Sequence, residues 1–201
     1  VSKIYKVFIR TNFNNSKIII LKKYDGDIYK RFTQLNLDLQ DDKLLFLNLL
    51  KQISQILIIL QKHFHFMHND MKPNNILYKF IDSSIGFRYD NIQYYLSDFG
   101  GSFINLNNKK ICGNIRGCKL EFNPNKDMFM MIHLIFTFID DKYKESALLF
   151  LTKLFGKDNI NTKYSKYDKS TWFSYYDIDN ISDLFNPINI LNKVSNKLQL
   201  E

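Results

Sequence analysis

From Asp41 and Asp42 onward, apolar residues recur at Phe46, Leu49, Leu50, Ile53, Leu57 and Leu60. This alternation of three and four is one face of a helix over about 43–62, roughly five turns long, with the two aspartates placed to cap its start. From Asp127 the run MFMMIHLIFTFI is apolar on every side and predicts a central, buried helix. KESALLFLTKLFG predicts another. KIYKVFIR at 3–10 and SKIIILKKY at 16–24 are rich in Ile and Val and joined by TNFNN, so they predict a β-hairpin that DGD at 25–27 ends. HFMHNDMKPNNILYKF reads as a short strand, a loop and a second strand, because Pro73 cannot sit in a regular ladder. Residues 81–93 form a polar surface loop, and YYLSDFGGSF a strand running into Asp98 with Gly100 and Gly101 as hinges. Residues 102–126 hold Gly113, Gly117 and Pro124 with little periodicity and predict an irregular segment. Past the 141–156 region the pattern resolves only into mixed short elements. No internal repeat stands out, and the two FNP triplets at 122 and 185 read as coincidence.

The chain has 201 residues, 45% of them hydrophobic, which supports one domain with a real core or two small lobes sharing a cleft. Its +8 formal charge suits an anionic partner, yet the lysines are scattered rather than interleaved with aromatics, which argues against nucleic acid. Cys112 and Cys118 are too few for a disulfide framework and two ligands short of a structural zinc site, so free thiols in a reducing, cytoplasmic setting are expected. No leader-like stretch occurs. LLFLNLLKQISQILIIL is interrupted by Asn48, Lys51, Gln52, Ser54 and Gln55, and the second apolar run is too short to span a bilayer, so no membrane is expected. The oligomeric state is not legible.

Between the first helix and the next apolar run lies FMHNDMKPNNIL, with His68, Asp70, Lys72, Asn74 and Asn75 inside eight residues. Polar groups beside a core need a purpose. HNDMKPNNIL followed by a strand and then by DFG resembles the catalytic loop and metal-binding motif of the protein kinase family. The resemblance covers about residues 16–140 and implies an α+β, protein kinase-like fold: a mainly helical C-lobe over 25–201, with residues 1–24 as a remnant of the β-rich N-lobe and hinge. It implies ATP and Mg²⁺ as cofactors and a Ser- or Thr-bearing protein as partner, since Lys72 in this loop is typical of Ser/Thr enzymes. Phosphoryl transfer asks a protein mainly to align the hydroxyl, hold the metal and neutralise charge. On that pattern Asp70 orients the hydroxyl and accepts its proton, Lys72 sits by the transferred phosphate, and Asn75 and Asp98 hold Mg²⁺ with oxygen ligands. Leu21, Lys22 and Tyr24 face the adenine, Leu77 forms its floor, and His68, Phe99, Gly100 and Asp127 are structural supports. His68 is read as packing under Phe99. The triplet His63, His65 and His68 is not read as a metal site, because a helix end running into a strand splays it.

Several features depart from the family. No Gly-rich loop occurs and no lysine follows one on a strand. With Val1 in first place, this points to an N-terminally truncated kinase, with a naturally minimal one as the alternative. Asn69 replaces the arginine common in regulated kinases, and residues 103–126 contain no Ser, Thr or Tyr, so activation by phosphorylation of that segment is not expected. The stretch from Asp98 to Asp127 is short for the family and lacks Ala-Pro-Glu, with Glu121 the nearest glutamate. The compact Asn- and Lys-rich build resembles divergent kinases of large DNA viruses. HND followed by N-x-L also resembles choline and aminoglycoside kinases, against which stand Lys72-Pro73 and the intact DFG. A pseudokinase acting as a binding module is the third alternative.

Overall fold

The computed structural model describes residues 23–107, 109–113, 121–156 and 181–200. The expected hairpin at 3–10 and 16–24, apart from Lys23 and Tyr24, lies outside them, as do Leu21 and Lys22. The protein is mixed α+β. In chain order it runs β1 (Gly26–Asp27), α1 (Tyr29–Thr33), α2 (Gln40–Phe64), β2 (Ile76–Phe80), β3 (Ile92–Leu96), β4 (Phe103–Leu106), β5 (Lys109–Cys112), α3 (Lys126–Phe138), α4 (Lys144–Phe155) and α5 (Pro187–Leu200). One antiparallel sheet has the order β1-β2-β3, with Asp27 opposite Leu77 and Leu77 opposite Tyr95. The other is the β4–β5 hairpin, with Phe103 opposite Cys112.

Helix α2 buries Phe46, Leu49, Leu50, Ile53 and Leu57 of the face its periodicity marked, with Leu60 half-buried and Leu45 and Leu47 buried beside them. It is long and apolar enough by composition to cross a bilayer, but that face lies in the core shared with α3, α4 and α5. Its N-cap is Leu39 rather than an aspartate. Asp42 instead ties down the turn before the helix, pairing with the Arg31 guanidinium and accepting the Asn36 backbone N–H at 2.7 Å. At the other end His65 takes a left-handed conformation, φ 43°, and closes the helix by donating its N–H to the Gln61 carbonyl. Helix α3 buries every residue from Lys126 to Phe136, as an apolar run without a polar face must.

Several sequence expectations need correction. Residues 103–112, read as irregular, form a hairpin around Asn107 at φ 51°; four-residue strands carrying Asn and Lys give almost no period-two signal. Helix α5 was read as short mixed elements, yet Ile190 and Val194 bury one face of it against α2. The FNP triplets share one local device: Asn123 Oδ1 accepts the Asn125 N–H at 3.0 Å and Asn186 Oδ1 accepts the Ile188 N–H at 3.1 Å. Each asparagine–proline turn leads into a helix, and Asn125 joins the two by bonding Asp183 and Asn186.

Cys112 is disulfide-bonded, which corrects the expectation of free thiols. A count of two cysteines excludes a multi-bridge scaffold but not a single bridge, which needs only one well-placed pair of Cβ atoms. The loop after β2 is closed by Asn91, whose side chain donates to the Asp82 and Gly86 carbonyls and accepts the Asp82 N–H, and it ends two residues earlier than expected because Ile92 opens β3.

Deep in the core His133 faces the Phe129 carbonyl through Nδ1 at 2.9 Å, its ring 4.0 Å from that of Phe129 and 5.7 Å from that of Phe185. Burial pushes its pKa down from 6.5 to about 4. Between those values the folded chain binds fewer protons than the unfolded one, so stability is complete above about pH 6.5, declines as pH falls, and levels off below about pH 4. A loss of up to about 3 kcal/mol is expected across that window. Urea midpoints measured against pH should flatten there in His133→Asn, which keeps a donor for the Phe129 carbonyl. An unchanged slope in that variant would rule His133 out as the cause.

Candidate active site

Met67 enters the candidate loop paired with Phe103 of β4 by two backbone bonds of 3.0 Å. The chain then turns at Asn69, φ 61°, runs through Asp70 to Lys72, and makes a 3-10 turn over Pro73–Asn75 into β2. Pro73 suits the first position of that turn, where no N–H is required. Below the loop the Asp127 carboxylate, fully buried at the head of α3, accepts the backbone N–H of His68 at 2.8 Å and of Asn69 at 2.9 Å. Burial pushes this carboxyl up, opposed first by the His68 ring, then by the two backbone bonds and by Lys126.

Above that support the polar side chains converge. Asp70 Oδ2 receives Lys72 Nζ at 2.7 Å and Asn75 Nδ2 at 2.8 Å, and the same Asn75 nitrogen lies 2.9 Å from the Asp70 carbonyl oxygen. The Asn75 carbonyl accepts both the N–H and the hydroxyl of Ser97, at 2.9 and 3.0 Å, which brings the end of β3 against the loop. Asp98 follows directly, in a left-handed conformation at φ 56°, and the turn Phe99–Gly101 carries the chain into β4. Among the described residues the Asp98 carboxylate has no hydrogen-bond donor or ion-pair partner, and the same holds for Asn75 Oδ1 and Asp70 Oδ1.

His68 is fully buried, its Nε2 2.8 Å from the Ser97 carbonyl and its ring 5.2 Å from that of Phe99. The carbonyl can only accept, so Nε2 carries the hydrogen. Phe99 itself is 49% exposed. Tyr24 lies with its ring 4.9 Å from that of Tyr95, the cross-strand partner of half-buried Leu77. Leu21 and Lys22 lie outside the described residues. A cleft of about 820 Å³ opens beside Asn74, lined by Asp25, Asp27, Lys30 and Tyr78 among others. Burial pushes the Tyr78 phenol up, aided by Asp25 and Asp27.

Sequence reasoning missed Ser97, Ser102 and Gly113. Ser102 Oγ donates to the His68 carbonyl at 3.1 Å. Gly113 donates its N–H to the Ser102 carbonyl at 2.8 Å, and a Cβ there would lie 2.5 Å from the Gly100 carbonyl oxygen and 2.6 Å from that of Phe99. Only a glycine lets the end of β5 approach the Asp98 turn so closely. Serines flanking DFG and a glycine after a strand were visible, but only the hairpin makes them neighbours.

No family model, no curated protein and no solved structure matches the chain. Assignment of the site therefore rests on its own geometry.

If Asp127 holds the loop, Asp127→Asn leaves one backbone N–H facing a donor and should cost about 1–3 kcal/mol, with Asp127→Ala costing more. Urea unfolding monitored by circular dichroism measures this. A cost below about 0.5 kcal/mol for both, the range of ordinary surface substitutions, would show that the loop is held elsewhere.

Proposed function

We propose that this chain is an ATP- and Mg²⁺-dependent phosphotransferase of the protein kinase-like superfamily, acting on a Ser or Thr hydroxyl of a protein, and that residues 25–201 constitute its C-lobe. The observation that carries the reading is the join between the two motifs: Asp70 is fixed by Lys72 and Asn75, and Asn75 is bonded to Ser97, the residue before Asp98. Three of the residues named by the motif thereby share bonds, and the fourth, Asp98, follows Ser97 directly in the chain.

The donor set suits a hard cation. Asn75 spends its amide hydrogens on Asp70, which leaves Oδ1, and Asp98 offers a carboxylate that no protein group occupies among the described residues. Oxygen ligands with room for retained waters are what Mg²⁺ prefers. Held by Asn75 Oδ1 and the Asp98 carboxylate, Mg²⁺ would neutralise charge on the nucleotide phosphates. The chain's own residues do the rest. Asp70, held through Oδ2, presents Oδ1 to the substrate hydroxyl, orients it and accepts its proton. Lys72 carries its positive charge 2.7 Å from that carboxylate, where it can follow charge from the hydroxyl onto the transferred phosphoryl group. Tyr24 and Leu77 offer an apolar surface to the base. His68, Ser97 and Asp127 touch no reactant in this scheme and keep the loop and the Asp98 turn in register.

Mg·ATP at about a hundredfold excess over its Kd should raise the melting temperature by roughly 5–10 °C. Asp98→Asn should remove the Mg²⁺-dependent part. Asp70→Asn should keep the shift but abolish transfer of labelled phosphate to a generic basic protein. Binding without transfer in the wild type would turn the reading toward a small-molecule kinase or a pseudokinase, and no Mg·ATP-dependent shift would overturn it.

A further inference from the structure

Cys112, the last residue of β5, is disulfide-bonded, and the only other cysteine in the sequence is Cys118. With no free cysteine, the two pair with each other. A bond closing so short a ring removes little chain entropy and cannot staple distant parts of the core. What it can fix is its own neighbourhood, and that neighbourhood is the Asp98 turn. Gly113, directly after Cys112, donates its N–H to the Ser102 carbonyl at 2.8 Å. It lies so close to the turn that an added Cβ would stand 2.5 Å from the Gly100 carbonyl oxygen. On Gly100 itself an added Cβ would stand 3.3 Å from Asp98 Oδ1, so the carboxylate lies against the residue on which Gly113 packs. Ser102 in turn donates its N–H to the Phe99 carbonyl and its hydroxyl to the His68 carbonyl, each at 3.1 Å. The covalent bond is one residue away from a contact that bears on both Asp98 and the candidate loop.

The bond is also placed to open. Lys109, Lys110 and Ile111 are exposed and Cys112 is half-buried, so a small reductant reaches this end of the hairpin. Cys112 stands opposite Phe103, and Lys110 Nζ lies 4.9 Å from the centre of the Phe103 ring, which puts a cation on the face that Cys112 shares. A cation there favours the thiolate that leaves when the disulfide is attacked. We propose that this disulfide is a reversible redox clamp: oxidised, it holds Gly113 against the turn Phe99–Gly101 and keeps Asp98 in register with Asp70 and Asn75, and reduced, it releases them. A dithiol reductant attacks one sulfur to form a mixed disulfide and then closes on itself. The protein's S–S bond thereby takes up two electrons and two protons and becomes two thiols, while the reductant becomes a cyclic disulfide. A small-molecule disulfide such as oxidised glutathione reverses the step and is itself reduced to two thiols. The clamp is a property of the fold, and only its effect on Mg²⁺-dependent binding rests on the phosphotransferase reading.

The test follows the full chain oxidised, after dithiothreitol, and after reoxidation with oxidised glutathione, with iodoacetamide labelling to count thiols at each stage. Amide hydrogen exchange, read residue by residue by NMR, should quicken about ten- to fiftyfold at Gly113 and Ser102 on reduction, as expected for opening a short disulfide ring, and should recover on reoxidation. The N–H groups of His68 and Asn69, held by Asp127, should not change. Cys112→Ser should show the fast exchange from the start and ignore dithiothreitol. Cys118→Ser should do the same, which keeps the comparison available if one variant fails to fold. Affinity for a fluorescent ATP analogue should fall roughly three- to tenfold on reduction when Mg²⁺ is present, the worth of the one hydrogen bond released, and stay level in EDTA. Unchanged exchange at Gly113, quickening shared equally by His68 and Asn69, or no thiols gained with dithiothreitol would each overturn the clamp while leaving the phosphotransferase reading in place. An affinity with Mg²⁺ that ignores reduction would overturn the link to Asp98. A wild-type chain that binds no Mg·ATP would remove the phosphotransferase reading, and the exchange measurements would still decide the clamp.

Discussion

A carboxylate with no access to water holds the protein's polar centre together. Asp127 sits in the first turn of a helix whose other residues through Phe136 are buried, in surroundings where an unpaired charge would be untenable. Two backbone donors from one stretch of loop, the N–H groups of His68 and Asn69, meet its two oxygens. The helix N-terminus also favours negative charge. The dependence runs both ways: the carboxylate needs those donors, and the donors oblige the chain to turn at Asn69 with positive φ. Everything above the loop inherits its position from that turn. Such an arrangement is tolerable only where both partners are rigid, and an all-buried helix beneath a twice-bonded loop provides this.

From that base, a short series of bonds carries position outward. Asp127 sets His68 and Asn69, Asn69 holds Gly101, His68 faces the Ser97 carbonyl, and Ser97 bonds the Asn75 carbonyl. Met67 and Phe103 close the circuit from the other side. Gly113 then packs on the backbone of the Asp98 turn with no room for a side chain. The hairpin that carries Gly113 also carries the disulfide-bonded Cys112, so the covalent link and the close approach occupy adjacent residues.

What could be read from the sequence divides along physical lines. Helices α2, α3 and α4 were legible because a buried face or an all-apolar run imposes a period over three or more turns. The grouping of Asp70, Lys72 and Asn75 was legible because all three fall within six residues, where spacing alone nearly fixes proximity. The β4–β5 hairpin was not, since its partners are four-residue strands and its turn uses Asn107 rather than glycine. Helix α5 carried a readable signal in Ile190, Val194 and Leu198 at intervals of four after Pro187, and asparagines among them hid it. Asp42 looked like a cap and serves as a clamp on Arg31 and Asn36, a contact that depends on how α1 folds back. The roles of Ser97, Ser102 and Gly113 depend on residues about 10 to 35 positions away, beyond what a local pattern contains.

The magnitudes indicate why the polar cluster is arranged as it is. Asp70 and Lys72 are each about one-fifth exposed, 21% and 23% by side chain, and an ion pair at such exposure contributes at most about 1 kcal/mol. Burying the surrounding loop to gain so little would be a poor route to stability, since Leu or Val in those places would contribute about 1.5–3 kcal/mol apiece. The pair makes better sense as positioning: one carboxylate oxygen saturated by Lys72 and Asn75, the other left open. Asp98 shows the opposite allocation. Its backbone is fixed by the turn, while its carboxylate meets no protein group among the described residues. One acid is held by the protein, and the other, on an exposed residue, is open to solvent, two bonds away through Asn75 and Ser97.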